Sequence, residues 1–320
     1  MDVKYYDAFS SIIEKAKSIE EPMRVAIAGA DAENIVKGAF EAAKDGFVSP
    51  ILIGNFERIK TLIKKLGYEN EKYDIQPIND DVNPVQYAID MINAGKADCL
   101  MRGSTQTRDF LLPVLNKSNN LIREESTVSH VAVLHVPQYK KNIAISDVTL
   151  IVEPNLSQRR CIARNIVRVL NVAGVKHPNI ALLSLVETPS FQMRDTVEAG
   201  NLVKEHKKTP IADCELVGPI PYDLIMSKEA AELKGYDCPF CGDFDGIVVP
   251  TLLAGNLLVK VLEHNAEATG YGVLCGTKVP VAISSRSDSP EHSYLSLAAC
   301  ASMKVENIWE NWATLTHGCK

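Results

Sequence analysis

Hydrophobic and polar positions along this chain alternate between two periods. Short apolar runs, RVAIA at 24–28 and ILI at 51–53, are followed by turns rich in Gly, Asn or Asp, and then by stretches with a helical apolar face. The runs read as buried strands and the stretches between them as amphipathic helices. Asp31 is placed to cap a helix over 32–44 that Gly46 ends, and Asn55 to cap a second over 56–66 with Gly67 at its C-terminal side. Further strands are expected at 74–78 and 98–101, with Pro84 at a first helical position, where its missing N–H costs nothing.

Strands that alternate with helices imply parallel pairing through right-handed crossovers, with helices on both faces of the sheet, so the expected fold class is α/β. Two consecutive strand-like runs, 128–136 and 142–148, interrupt the alternation and suit a hairpin or a domain crossing. After Pro154 the pattern restarts with a helix over 156–173 ended by Gly174, then strands at 179–185, 214–217, 246–249 and 279–284. Final helices over 294–303 and 308–315 have no strand between them and can pack back onto the first domain. The expected division is 1–143 plus 293–320 for a first α/β domain and 144–292 for a second; 320 residues exceed the roughly 100–200 of a single domain.

Composition narrows the class. Hydrophobic residues at 46% and charged residues at 23% exclude a disordered or fibrous chain. Acidic residues within the first 22 positions argue against a signal peptide, and no apolar run approaches the roughly 18 residues needed to span a bilayer. A cytoplasmic location is expected, with the eight cysteines as free thiols. A formal charge of −6 leaves no basic footprint, so nucleic acid is not an expected partner.

Three strand-to-helix junctions carry candidate chemistry, because ligands of open parallel sheets bind beyond the carboxyl ends of the strands. At 101–107, MRGSTQT offers the guanidinium of Arg102, a flexible Gly103, and the hydroxyls of Ser104, Thr105 and Thr107; the plain alternative is a hydroxyl-rich helix cap. At 284–291, SSRSDSPE surrounds Arg286 with serines, a set suited to clamping phosphate or to building a capped surface turn. At 249–256, VPTLLAGN leads into a helix on which Asn256 and Lys260 share a face.

Other features are set aside. Gly270 and Gly272 lack a third glycine at dinucleotide spacing, and no phosphate loop of G-x-x-x-x-G-K-[ST] type occurs. Cys238 and Cys241 have no second pair at zinc-ribbon distance and read as a loop with two thiols. Arg160, Arg164 and Arg168 form a stripe that usually faces solvent or a subunit, while His130 and His135 read as core or rim histidines.

Six stretches in order resemble the phosphate acetyltransferase and phosphate butyryltransferase family: MRGSTQT (101–107), SHVAV (129–133), residues 147–154, GPIPYD (218–223), DGIVVPTLLAGNLLVK (245–260) and CGTKVPVAISSRSDS (275–289). SHVAV and SSRSDS are more similar to the butyryl branch. The resemblance implies a two-domain fold like those of isocitrate and isopropylmalate dehydrogenases, with mostly parallel sheets, an interdomain cleft, and a homodimer formed through the second domain. It also implies the reaction acyl-CoA plus phosphate to acyl phosphate plus CoA, through a ternary complex without a covalent intermediate or a metal. Coenzyme A is then a substrate, no cofactor is tightly bound, and an acyl kinase is a functional partner. Ser285 and Arg286 match the family's Ser-Arg pair, and Gly103, Ser104, Thr105, Asn256 and Lys260 carry over as cleft residues; Arg102 and Thr107 join them as substrate-binding candidates on the chemistry of their own junction.

The resemblance has gaps. Acetyl-type members often carry an Arg-Pro pair where this chain has Leu112-Pro113, and an acidic base where an ungapped match places His292. Asp288 is the expected base, with Glu291 also nearby. The rivals are a metal- and NAD-dependent decarboxylating dehydrogenase of the same fold and a non-catalytic acyl-CoA-binding protein. The first needs clustered aspartates, and the nearest, Asp243 and Asp245, fall at the start of an expected strand, the wrong end for a site.

Overall fold

The computed structural model describes residues 7–124, 126–285, 288–306 and 308. Along the chain run α1 (Ser10–Lys17), β1 (Met23–Ala28), α2 (Glu33–Lys44), β2 (Val48–Gly54), α3 (Phe56–Leu66), β3 (Asp74–Pro77), α4 (Pro84–Asn93), β4 (Cys99–Arg102) and α5 (Thr107–Leu115). There follow β5 (Ser129–His135), β6 (Asn142–Ser146), α6 (Leu156–Val172), β7 (Asn179–Leu183), α7 (Arg194–Lys208), β8 (Glu215–Ile220), α8 (Tyr222–Met226) and α9 (Lys228–Lys234). The last are β9 (Gly246–Val248), α10 (Leu252–Asn265), β10 (Thr269–Cys275), β11 (Val281–Ala282) and α11 (Pro290–Val305).

Contacts group the described residues into two units that break near residues 124 and 269, whereas the sequence expectation breaks at 143 and 292. Strand pairing accounts for the difference. In the first unit the strand order is β3-β2-β1-β4-β11-β10, parallel except where β10 meets β11. In the second it is β5-β6-β9-β7-β8, parallel except for the β5–β6 hairpin. The hairpin therefore stays with β9, and β10 and β11 stay with β4.

Local signals explain most element ends. The Asn55 side chain accepts from Arg58 N at 3.2 Å, and Gly67 closes α3 at φ 73°, a left-handed conformation that glycine adopts without strain. Asn83 caps α4 ahead of Pro84, and Asn155 with Gln158 forms a reciprocal capping box on α6. Asp31 does not cap α2. The N–H groups of Gly29 and Ala30 are both spent on Ile53 O at 3.0 Å, so the chain turns later and the helix begins at Glu33.

Other departures have equally local causes. The segment with Gly270 and Gly272 is itself strand β10. Helix α7 was not expected, because its buried residues, Thr196, Ala199, Gly200 and Leu202, make a face of mostly small side chains with little apolar contrast. Within the first unit α11 packs on α1 and α2, and Ser302 Oγ donates to Ile12 O at 2.6 Å. The expected helix at 308–315 lies outside the described residues apart from Ile308.

Among the described residues six cysteines, including Cys238 and Cys241, are free, and burial pushes the Cys241 thiol up to about 12. Cys161 is disulfide-bonded, a correction to the expectation of free thiols throughout. Arg164 and Arg168 are another correction, for both are buried and Arg164 Nε donates to Ile211 O at 2.6 Å. Among the described residues, no helix is long and apolar enough to cross a membrane, and no cluster of His, Cys, Asp or Glu is arranged to hold a metal ion.

Candidate active site

In the first unit, parallel pairing aligns the carboxyl ends of β1, β4 and β11, since Ala28 pairs with Arg102 and Met101 with Ala282. The loops that follow these strands are thereby gathered at one edge. Gly103 N donates to Ala28 O at 3.0 Å and Ser104 N to Gly29 O at 2.8 Å, which zips the loop after β4 onto the loop after β1. A Cβ at Gly103 would fall 2.0 Å from Gly29 O, so only glycine permits this approach.

Arg102 is buried, and both Nε and Nη2 donate to Thr105 O, at 3.0 and 2.9 Å. Its guanidinium therefore braces the loop. Ser104 and Thr105 are half-buried and Thr107 is exposed at the start of α5. Thr105 Oγ1 is buried without a hydrogen-bond partner among the described residues. No side chain caps α5, so the hydroxyls of this loop are not consumed as a helix cap. Its first-turn N–H groups carry the positive end of the helix dipole.

The loop after β11 supplies the second set of groups. Ser285 is half-buried, and its N–H donates to Asp288 Oδ2 at 2.6 Å. The same oxygen lies 3.5 Å from His292 Nε2, while Asn34 Nδ2 donates to Asp288 O at 2.8 Å. Ser289 caps α11 by accepting from His292 N at 3.3 Å, which fixes the imidazole one turn beyond the loop. The carboxylate and imidazole are nearly buried, at 9% and 11% exposure. The family resemblance already points to both residues as candidates for the base, and their spacing of four at a helix start is what lets them meet. Arg286 lies outside the described residues.

The third junction belongs to the second unit. Thr251 caps α10 by accepting from Ala254 N at 3.2 Å. A Cβ at Gly255 would meet Asp147 O at 2.6 Å, so the helix lies directly on the loop after β6. Asn256 is exposed and its Nδ2 donates to Val148 O at 3.2 Å, while Lys260 pairs with Glu263 at 2.6 Å. The two share a helix face as the spacing predicts.

Asp147 holds that loop. Its carboxylate accepts from the backbone N–H groups of His130, Thr149, Leu150 and Ile151 at 2.7–3.2 Å. Burial raises its pKa above the ordinary carboxylate value, and these four donors oppose that shift. His130 Nδ1 is 2.6 Å from Thr149 Oγ1, a structural contact. Asp243 and Asp245 both pair with Lys141, at 2.9 and 2.8 Å, just ahead of β9 and away from its carboxyl end.

An α/β protein whose hydroxyl- and amide-bearing loops collect at the carboxyl ends of parallel strands is the class this geometry defines. Comparison with known proteins takes the identification one step further. Residues 72–301 match the model of the phosphate acetyl/butaryl transferase family. A phosphate butyryltransferase of Clostridium acetobutylicum is 32% identical over 294 residues, covering 92% of this chain and 97% of the relative. A phosphate acetyltransferase of Thermotoga maritima is 30% identical over 278 residues, 87% of this chain and 94% of the relative. Among solved structures, a branched-chain phosphotransacylase from Enterococcus faecalis superimposes with a TM-score of 0.76 at 29% identity, covering 88% of this chain and 98% of the other. The chain belongs to the phosphate acetyl/butaryl transferase family.

Proposed function

We propose that this protein transfers a short acyl group between coenzyme A and inorganic phosphate in the cytoplasm, with a butyryl or similarly short chain as the acyl group. The observation that carries the reading is the alignment of the loops after β4 and β11 at one end of adjacent parallel strands, in a chain of this family. The division into two units supports a two-domain fold of the isocitrate dehydrogenase type.

The chemistry is mainly positioning. Toward acyl-CoA, Asp288 takes the thiol proton of coenzyme A, and the thiolate attacks the acyl phosphate carbonyl. The C–O bond to phosphate then breaks and inorganic phosphate leaves. Arg286 and Ser285 hold the phosphoryl oxygens, and Thr105 Oγ1 and the uncapped first turn of α5 offer further donors to developing negative charge. His292 keeps Asp288 in place and shares its proton. Holding both substrates together makes the attack effectively unimolecular, without a tightly bound cofactor. The acyl phosphate formed in the opposite direction is a phosphoryl donor, which suits consumption by an acyl kinase.

The assay is direct. Butyryl-CoA or acetyl-CoA should release free CoA only when phosphate is present, and a chelator should leave the rate unchanged. Reduction of NAD by a hydroxy acid, with no phosphate-dependent release, would replace this reading by the dehydrogenase one. Stoichiometric acyl-CoA binding without turnover would favour the non-catalytic alternative.

The partner most compatible with the surface is a second copy of the chain. Leu253, Leu257 and Val261 recur every four residues on α10 and are 76%, 58% and 44% exposed, a continuous apolar stripe. The protein should sediment as a homodimer, and Leu257→Glu should shift it toward monomer. A parent that sediments as a monomer at micromolar concentration would remove the dimer from the proposal.

A further inference from the structure

The CPFC motif at 238–241 has no role in the acyl transfer. Its cysteines stand at the first and last positions of a tight turn in the second unit, where Cys241 N donates to Cys238 O at 3.4 Å. Pro239 occupies the second position, which its fixed φ suits. Such a turn holds its end Cα atoms within about 7 Å, and a disulfide spans about 4.4–6.8 Å. The backbone is therefore shaped for a bond between the two sulfurs.

Both flanks of the turn are pinned. Ahead of it, Tyr236 N donates to Ala231 O at 2.9 Å and ties the chain to the end of α9. Behind it, Gly242 N donates to Ile225 O at 3.1 Å in α8, and Asp243 N to Phe240 O at 2.9 Å. Asp243 and Asp245 are then held by Lys141. The two cysteines cannot drift apart without breaking these ties.

The surroundings of the two sulfurs are unequal. Cys241 is 4% exposed and belongs to a core cluster with Ile225 and Phe244, whereas Cys238 is half-buried at the edge of that cluster. Every other free cysteine among the described residues is buried. Burial, followed by the charge and hydrogen bonding of the neighbouring Cys238 thiol, keeps the Cys241 thiol protonated. Cys238 is thus the sulfur that meets a reagent from solvent, with Cys241 sheltered beside it. A metal needs more ligands than two thiolates, and no group of three His, Cys, Asp or Glu among the described residues is arranged to hold one.

We propose that Cys238 and Cys241 form a dithiol site that a hydroperoxide oxidises to a disulfide and that a small thiol reduces again. The Cys238 thiolate attacks one oxygen of the peroxide: an S–O bond forms, the O–O bond breaks, and the other oxygen leaves as hydroxide or alkoxide and takes up a proton. The Cys241 sulfur then displaces the hydroxyl from the sulfenic acid, and its proton departs with that hydroxyl as water. The pair loses two electrons and the peroxide gains them. Two equivalents of the small thiol reverse the change through a mixed disulfide. In a reducing compartment the site rests as two thiols, and the adjacent Cys241 keeps Cys238 from passing on to irreversible sulfinic acid. None of this chemistry depends on acyl transfer.

The test is to treat the full chain with hydrogen peroxide, alkylate the remaining thiols under denaturing conditions, and map the tryptic peptide Gly235–Lys260, which contains both cysteines. In the parent this peptide should become lighter by two hydrogens, take up no alkylating reagent, and regain both alkylation sites after dithiothreitol. Cys241→Ala removes the resolving sulfur, so the same dose should carry Cys238 to sulfinic acid that dithiothreitol does not reverse. Cys238→Ala should leave Cys241 reduced. The parent result decides the matter even where a variant fails to fold. A parent whose Cys238 reaches sulfinic acid while Cys241 remains alkylatable would overturn the pairing. So would a parent whose two thiols both survive a dose that converts free glutathione fully to its disulfide.

Discussion

Asp288→Asn should lower turnover by about 10² to 10⁴, the usual contribution of a positioned base. The variant is well matched to the geometry. Asparagine keeps an oxygen that can accept from Ser285 N, now 2.6 Å from Asp288 Oδ2, and the Asn34 contact uses only the backbone oxygen of 288. What disappears is the negative charge and the capacity to take a proton. His292→Gln should cost less, roughly tenfold, if the imidazole 3.5 Å from Asp288 positions the carboxylate and shares its proton. Thermal melting of both variants should stay near that of the parent. Should Asp288→Asn turn over normally while His292→Gln is inactive, the base is the histidine and the carboxylate only holds it.

The second large effect is expected at Arg286. Arg286→Gln retains polarity and some length but loses the charge and the paired N–H fork, so the loss should fall on kcat if the contact strengthens as charge develops. Removal of one anion-stabilising group from a comparable site costs about 2–4 kcal/mol, or roughly 10²- to 10³-fold in rate. Arg286→Lys should restore part of this, because an ammonium supplies charge without the fork. The melting temperature is measured first. A normally folded Arg286→Gln with parental turnover would remove the arginine from the site while leaving the family assignment untouched.

Much of the fold was legible from local signals. Asn55, Asn83 and Asn155 cap helices because an Asn side chain reaches the free N–H groups of the turn that follows it, wherever the helix is packed. The alternation of apolar runs and amphipathic stretches identified parallel α/β architecture for the same reason: each pattern matches the period of one element. Family membership was also written in order along the chain, in stretches such as MRGSTQT and DGIVVPTLLAGNLLVK.

What the sequence could not determine depends on groups distant in the chain. Arg102 has the chemistry of an anion ligand, but only the folded loop shows its Nε and Nη2 donating to Thr105 O. The arginine stripe at 160, 164 and 168 has the spacing of a surface, yet Arg164 and Arg168 are buried, since burial is set by what packs against a helix and not by its own residues. The division into units turned on strand pairing between segments more than a hundred residues apart, β6 with β9 and β4 with β11.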